Sequence, residues 1–173
     1  MVDEIATAAG IITVKRAIES ELEDIVAVLD SAAHWLASKG ITDPWHPGEW
    51  PRKRIMESIE RGEVYLSKLG QRNVATITLQ WSDEFFWPNY PADAGYIHRL
   101  AVATGFHRKK IGSQLLQWAE LSARDNGKKF LRLNCMAANL ALRNYYERAG
   151  FIYRGELREP RGLACLYEKR LSP

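Results

Sequence analysis

The stretch from His98 to Leu116 constrains the fold of this chain more than any other. Leu100 and Val102 stand two apart, as one face of a strand requires. Thr104 and Gly105 break the run. Ile111, Leu115, Trp118, Ala119 and Ser122 then recur at helical spacing. The stretch therefore reads as a strand, a short turn and the start of a helix. The turn holds His107, Arg108, Lys109 and Lys110, and Ile111-Gly112-Ser113 follows at once. A helix amino end presents unpaired backbone N–H groups and the positive end of the dipole. Gly112 lets a ligand come close to the backbone. Ringed by cations, such an end suits an anion, most simply a pyrophosphate.

The length, 173 residues, is that of a single domain, expected over residues 11–173 behind a flexible lead at 1–10. No apolar run approaches the ~20 residues of a membrane span. Asp3 and Glu4 stand where a signal peptide would carry its basic start. A net charge of +3, spread along the chain, argues against a nucleic-acid partner. Cys135 and Cys165 lie far apart in apolar surroundings and read as free buried thiols, with a disulfide as the alternative. A reducing cytoplasm suits them. His34 and His46 have no partner at metal-ligand spacing, so no metal site is expected.

The remaining elements follow from periodicity. Ile11 to Val14 form a strand, and Ile18, Leu22, Ile25, Leu29, Ala33 and Leu36 mark an amphipathic helix that Gly40 stops. A second helix runs from Pro51 to about Arg61. Glu63–Leu69 and Asn73–Trp81 form a hairpin about Gly70. An aromatic loop at 82–93 precedes the strand Gly95–Ala103, and the helix after the basic turn ends near Asn126. Phe130–Cys135 is a strand, Asn139–Ala149 a helix, and Phe151–Leu157 and Leu163–Leu171 a closing pair of strands. The order predicts an α/β (α+β) fold. Its mixed, mostly antiparallel sheet has about 6–7 strands flanked by about four helices.

Two motifs carry a family resemblance. The turn from His107 to Ser113 resembles the phosphate-binding motif of the GCN5-related N-acetyltransferases, (Gln/Arg)-x-x-Gly-x-(Gly/Ala). Gly112 takes the second glycine position, while Lys110 replaces the first glycine and His107 the leading Gln/Arg. At Lys110 the chain must keep a negative φ or accept strain. The second motif, Asn139-Leu-Ala-Leu-Arg-Asn-Tyr-Tyr-Glu-Arg-Ala-Gly-Phe151, resembles the family's Asn-x-x-Ala-x-x-Leu-Tyr-x-Lys-x-Gly-Phe. Asn139, Tyr146, Gly150 and Phe151 match in register. The element order is similar to that of the family's acyl-CoA N-acyltransferase fold.

The resemblance implies acetyl transfer from acetyl-CoA to a primary amine, by direct attack in a ternary complex. It implies that His107, Arg108, Lys109, Lys110, Ile111, Gly112 and Ser113 hold the pyrophosphate. Leu100, Ala101 and Val102 would then offer backbone groups to the pantetheine arm and the developing oxyanion. Tyr146 is implied as proton donor to the departing thiolate; thiols titrate near ~8.5 and phenols near ~10, close enough to share a proton. Asn139 would touch the cofactor arm, beside its plainer role as helix N-cap. Gly150 reads as a helix C-cap.

An attacking amine must be neutral, which requires a base. His98 sits two residues before Leu100, and an imidazole's ordinary range, near ~6.5, suits the task. The alternative is a His bonded to a neighbouring loop. Asp83 and Glu84 are acidic alternatives, read otherwise as solvated charges. Trp35, Trp45, Phe86 and Tyr96 are the expected acceptor contacts, where rings can take a flat group or a cation. Packing in the core or across a homodimer is the plainer use of such rings. The acceptor is a small molecule or peptide, with no nucleic acid and no membrane. The rival function is a non-catalytic acyl-CoA-binding module on the same fold.

Overall fold

The computed structural model describes residues 2–41 and 44–172. Its strands are β1 (Val2–Thr7), β2 (Gly10–Arg16), β3 (Val64–Leu69), β4 (Arg72–Gln80), β5 (Ala94–Val102), β6 (Phe130–Met136), β7 (Ile152–Glu159) and β8 (Gly162–Arg170). Its helices are α1 (Leu22–Ala37), α2 (Arg52–Glu60), α3 (Ile111–Asp125) and α4 (Leu140–Arg148). The strands form one sheet in the order β1-β2-β3-β4-β5-β6-β8-β7. β5 and β6 run parallel, from Ala94↔Phe130 to Ile97↔Leu133, joined through α3 as a crossover demands. The hairpins β1–β2, β3–β4 and β7–β8 are antiparallel.

The sheet thus has eight strands where about 6–7 were expected, and the difference includes β1. In place of the expected flexible lead, Val2–Thr7 pairs with β2, Ile5 facing Ile12. The turn is closed by Thr7, whose Oγ1 donates to the Gly10 carbonyl at 2.7 Å and accepts from the Ala9 N–H at 3.1 Å. Gly10 takes φ 120°, a conformation that strains an L side chain. Alternation in Val-Asp-Glu-Ile-Ala-Thr is faint because the strand buries little: its residues alternate only between exposed and half-buried.

The chain divides into two compact units, Met1–Thr78 with Arg99–Leu116, and Leu79–His98 with Gln117–Pro173. The core of the first joins one face of α1 (Ile25, Val26, Val28, Leu29, Ala32) to Ile55 and Ile59 of α2, Val64 and Leu66 of β3, and Ala101 of β5. α1 begins where the Glu21 carboxylate accepts from the Ile18 N–H at 3.2 Å, and Gly40, at φ 76°, follows its end.

In the second unit Trp87, Ala94, Tyr96 and Leu166 pack with Phe86 and Phe130. Arg132, 2% exposed, is the largest fully buried side chain. It donates to Glu168 at 2.8 Å, the Tyr96 hydroxyl at 3.0 Å, the Pro91 carbonyl at 3.1 Å and Asp93 at 3.1 Å. The rings of Trp87, Tyr90, Tyr96 and Phe130 surround its guanidinium. Burial opposes its charge, but the Glu168 and Tyr96 bonds outweigh that, so its pKa rises. This cluster ties the end of the 82–93 loop to β5, β6 and β8. Cys135 and Cys165, distant in sequence, are register partners across β6 and β8, yet both are free and buried. Burial pushes the Cys135 thiol up to about 12, which leaves it unreactive.

Candidate active site

The basic turn lies wholly in the first unit. Arg108, Lys109 and Lys110 are exposed, and α3 starts at Ile111, which is buried. The Gln114 N–H donates to the Lys110 carbonyl at 3.0 Å, closing the first turn of the helix. The N–H groups before it point out of the helix end with no acceptor within the helix. Arg108 and Lys110 take φ 62° and 60°, left-handed values that cost an L-residue ~1–2 kcal/mol each. Lys110 therefore accepts the strain that its replacement of a glycine demanded. Alternating hands along a backbone turn successive N–H groups toward one point, the geometry of an anion nest.

That strained turn is braced from several sides. Ser31 of α1 accepts at its Oγ from the Thr104 N–H at 2.9 Å, and its carbonyl accepts from the Thr104 hydroxyl at 3.0 Å. The Ala8 N–H, in the β1–β2 turn, donates to the Lys109 carbonyl at 3.1 Å. Arg72 lies over the Phe106 ring at 5.1 Å. Trp35 stacks on His107 with ring centroids 4.1 Å apart and planes inclined by 19°. His107 is thus half-buried, its Nε2 has no bonding partner, and burial lowers its pKa. Burial thus disfavours the charged form of His107, and the exposed cations of the turn are its three neighbours. Leu100 and Val102 are half-buried, whereas Ala101 between them is 4% exposed in the core. Trp45 packs edge-on against Trp50 at 5.5 Å and joins that same core.

The second unit holds His98, Asp83 and Tyr146. His98 Nε2 lies 2.9 Å from Asp83 Oδ2, with side-chain exposures of 19% and 8%. The contact has ion-pair distance but lies off the line of a hydrogen bond. Asp83 Oδ1 accepts from the Phe86 N–H at 3.2 Å, and the Asp83 carbonyl accepts from the Trp87 N–H at 3.0 Å. The Phe86 ring stands 5.9 Å from the imidazole. Glu84 is exposed. Asp83, expected from sequence as an acidic alternative to His98 or else a solvated charge, is folded inward by this turn. Arg99, next to His98, takes φ 47° and interrupts the extended backbone of β5 two residues beyond the last parallel pair with β6.

Tyr96, expected at the acceptor end, is 3% exposed, and its hydroxyl oxygen accepts from Arg132 Nη1. It is a core residue, because a buried phenol beside a buried guanidinium satisfies both. Tyr146 of α4 is buried among Tyr145, Phe151 and Tyr167, with ring centroids at 5.5, 5.8 and 6.4 Å. Burial, with Cys135 and Tyr145 nearby, pushes its pKa well above the ordinary phenol range. It stays protonated across the physiological range. Asn139 caps α4, its Oδ1 accepting from the Leu142 N–H at 3.1 Å, and Gly150 closes it at φ 90°.

Residues 29–151 match the family model described as Acetyltransferase (GNAT) family. An uncharacterized N-acetyltransferase of Bacillus subtilis (strain 168), YesJ, is 30% identical over 147 residues, covering 80% of this chain and 81% of that protein. The crystal structure of a GNAT-family acetyltransferase from Listeria monocytogenes 4b F2365 superposes with a TM-score of 0.82 at 25% identity, over 98% of this chain and 100% of that one. The PaiA N-acetyltransferase of Thermoplasma acidophilum, solved in complex with coenzyme A, gives a TM-score of 0.71 at 18% identity, over 92% and 98% of the two chains.

Proposed function

The chain belongs to the acetyltransferase (GNAT) family and is an N-acetyltransferase, and on that premise we propose that it moves the acetyl group of acetyl-CoA directly to a primary amine. The observation that carries the cofactor half is the braced turn at the amino end of α3. Two left-handed residues, an open helix end and the exposed cations Arg108, Lys109 and Lys110 suit a diphosphate. The Thermoplasma neighbour, solved with coenzyme A, supports that choice of ligand. Gly112 and Ser113 lie in the first turn of the helix, where their N–H groups serve the same anion.

The chemical roles are assigned residue by residue. His98 takes the proton from the attacking ammonium, directly or through water. The Leu100 N–H, just past the break at Arg99, faces the charge that develops on the carbonyl oxygen, a bond worth about 3 kcal/mol in such sites. Val102 pairs by its backbone with the pantetheine arm. Tyr146, held as a neutral phenol, returns a proton to the departing thiolate. Asn139, whose Oδ1 serves the cap, is assigned by its Nδ2 to the cofactor arm. Trp35, Trp45 and Phe86 are assigned to the acceptor.

A panel of amines, followed by free-thiol release from acetyl-CoA, tests the reading. At least one amine is expected to accelerate release strongly. Tight acetyl-CoA binding with no acceleration by any amine class sinks the catalytic assignment.

A further inference from the structure

We propose that Asp83 is the positioning residue of the base: it holds His98 through Nε2 and so assigns proton uptake to Nδ1. The inference rests on His98 being the base, as proposed above. A carboxylate only accepts hydrogen bonds. An imidazole held against one therefore keeps its proton on Nε2 when neutral, and its lone pair is on Nδ1. With Nε2 2.9 Å from Asp83 Oδ2, Nδ1 is the nitrogen left for substrate or a bridging water. The off-line angle of the contact is ordinary for a resting site, where such bonds straighten when substrate arrives.

Several features separate this pair from a surface ion pair. Asp83 is 8% exposed, and Oδ2 bonds to no other group among the described residues. Its second oxygen is fixed by the Phe86 N–H, so the carboxylate cannot swing away without losing that bond. The loop that delivers it is anchored at its other end, where Arg132 binds the Pro91 carbonyl and the Asp93 carboxylate. The Phe86 ring covers one side of the imidazole. Asp83 is in contact with the ring; Tyr96, on the same strand, is turned to Arg132, and Glu84 is exposed. A buried carboxylate with one unspent oxygen against an imidazole fixes the ring's orientation and tautomer.

Asp83→Asn tests this, because it keeps the Oδ1 acceptor for Phe86 and removes the charge. Turnover is expected to fall about tenfold, with the KM for acetyl-CoA unchanged. Nitrogen NMR of the variant should show His98 moved toward the Nδ1–H tautomer, since an amide N–H now donates where the carboxylate oxygen accepted. His98→Gln should abolish the acid limb of kcat/KM, and the double variant should match His98→Gln within about twofold. Full turnover and an unmoved tautomer in Asp83→Asn, with the limb lost in His98→Gln, overturns the role of Asp83 alone. A wild-type limb in His98→Gln overturns the base itself. Should Asp83→Asn not fold, nitrogen NMR of the unaltered protein decides: the Nε2–H tautomer of His98 is expected, and the Nδ1–H tautomer overturns the proposal.

Discussion

At the scale of single residues, the side chains in this protein do what their surroundings permit rather than what their type suggests. Tyr146 is held as a phenol by burial, with Cys135 and Tyr145 adding to the effect. Tyr146→Phe is expected to lower turnover by about tenfold or more, with acetyl-CoA affinity unaltered. Unchanged turnover would remove it as the proton donor. His107 lies among basic neighbours in the sequence, yet it stacks on Trp35 and its burial lowers its pKa. The sign of its effect on stability follows from linkage. Its folded pKa lies below the unfolded value, so its contribution is intact above ~6.5 and is lost as pH falls toward the folded pKa. His107→Phe keeps the stack and removes the titration. Its melting temperature should fall less than that of the unaltered protein between about pH 6.5 and about pH 5, measured by calorimetry. Equal slopes would place the acid sensitivity elsewhere. Asp83 and Arg132 were not legible at this scale, because their partners are brought to them by the fold.

Elements were legible wherever apolar spacing was strong. The helices α1 to α4 and the strands from β2 to β8 fall within a few residues of their expected bounds, because a core-facing stripe leaves a period in the sequence. β1 escaped because its burial is slight. Its position gives it a use beyond pairing: the Ala8 N–H in its turn bonds the Lys109 carbonyl in the basic turn. Together with Ser31, it holds a backbone that carries two left-handed residues. Pre-ordering of this kind lowers the entropy cost of binding. Deleting the first nine residues is therefore expected to raise the KM for acetyl-CoA several-fold while leaving kcat within about twofold. A deletion that lowers kcat alone would show that β1 supports something other than the turn.

At the scale of the whole molecule, acetyl-CoA should bind the folded chain and not the unfolded one. At a hundredfold excess over Kd it should add about 2.7 kcal/mol to stability, visible as a raised melting temperature, whereas ATP should not. Protection by ATP and not by acetyl-CoA would reassign the basic turn to another phosphate ligand. Among the described residues no helix is long and apolar enough to cross a membrane. The sequence by itself determined the α/β class, the strand-turn-helix around Gly112 and the Asn139–Phe151 motif, because each is written in spacing along the chain. Only the tertiary structure decided that Lys110 is left-handed, that Trp35 stacks on His107, that Tyr96 belongs to Arg132 and that Asp83 meets His98. Those outcomes depend on which distant residues share one small volume. Contacts of that kind leave no period or motif in a single chain, since each partner is locally an ordinary turn, strand or helix residue.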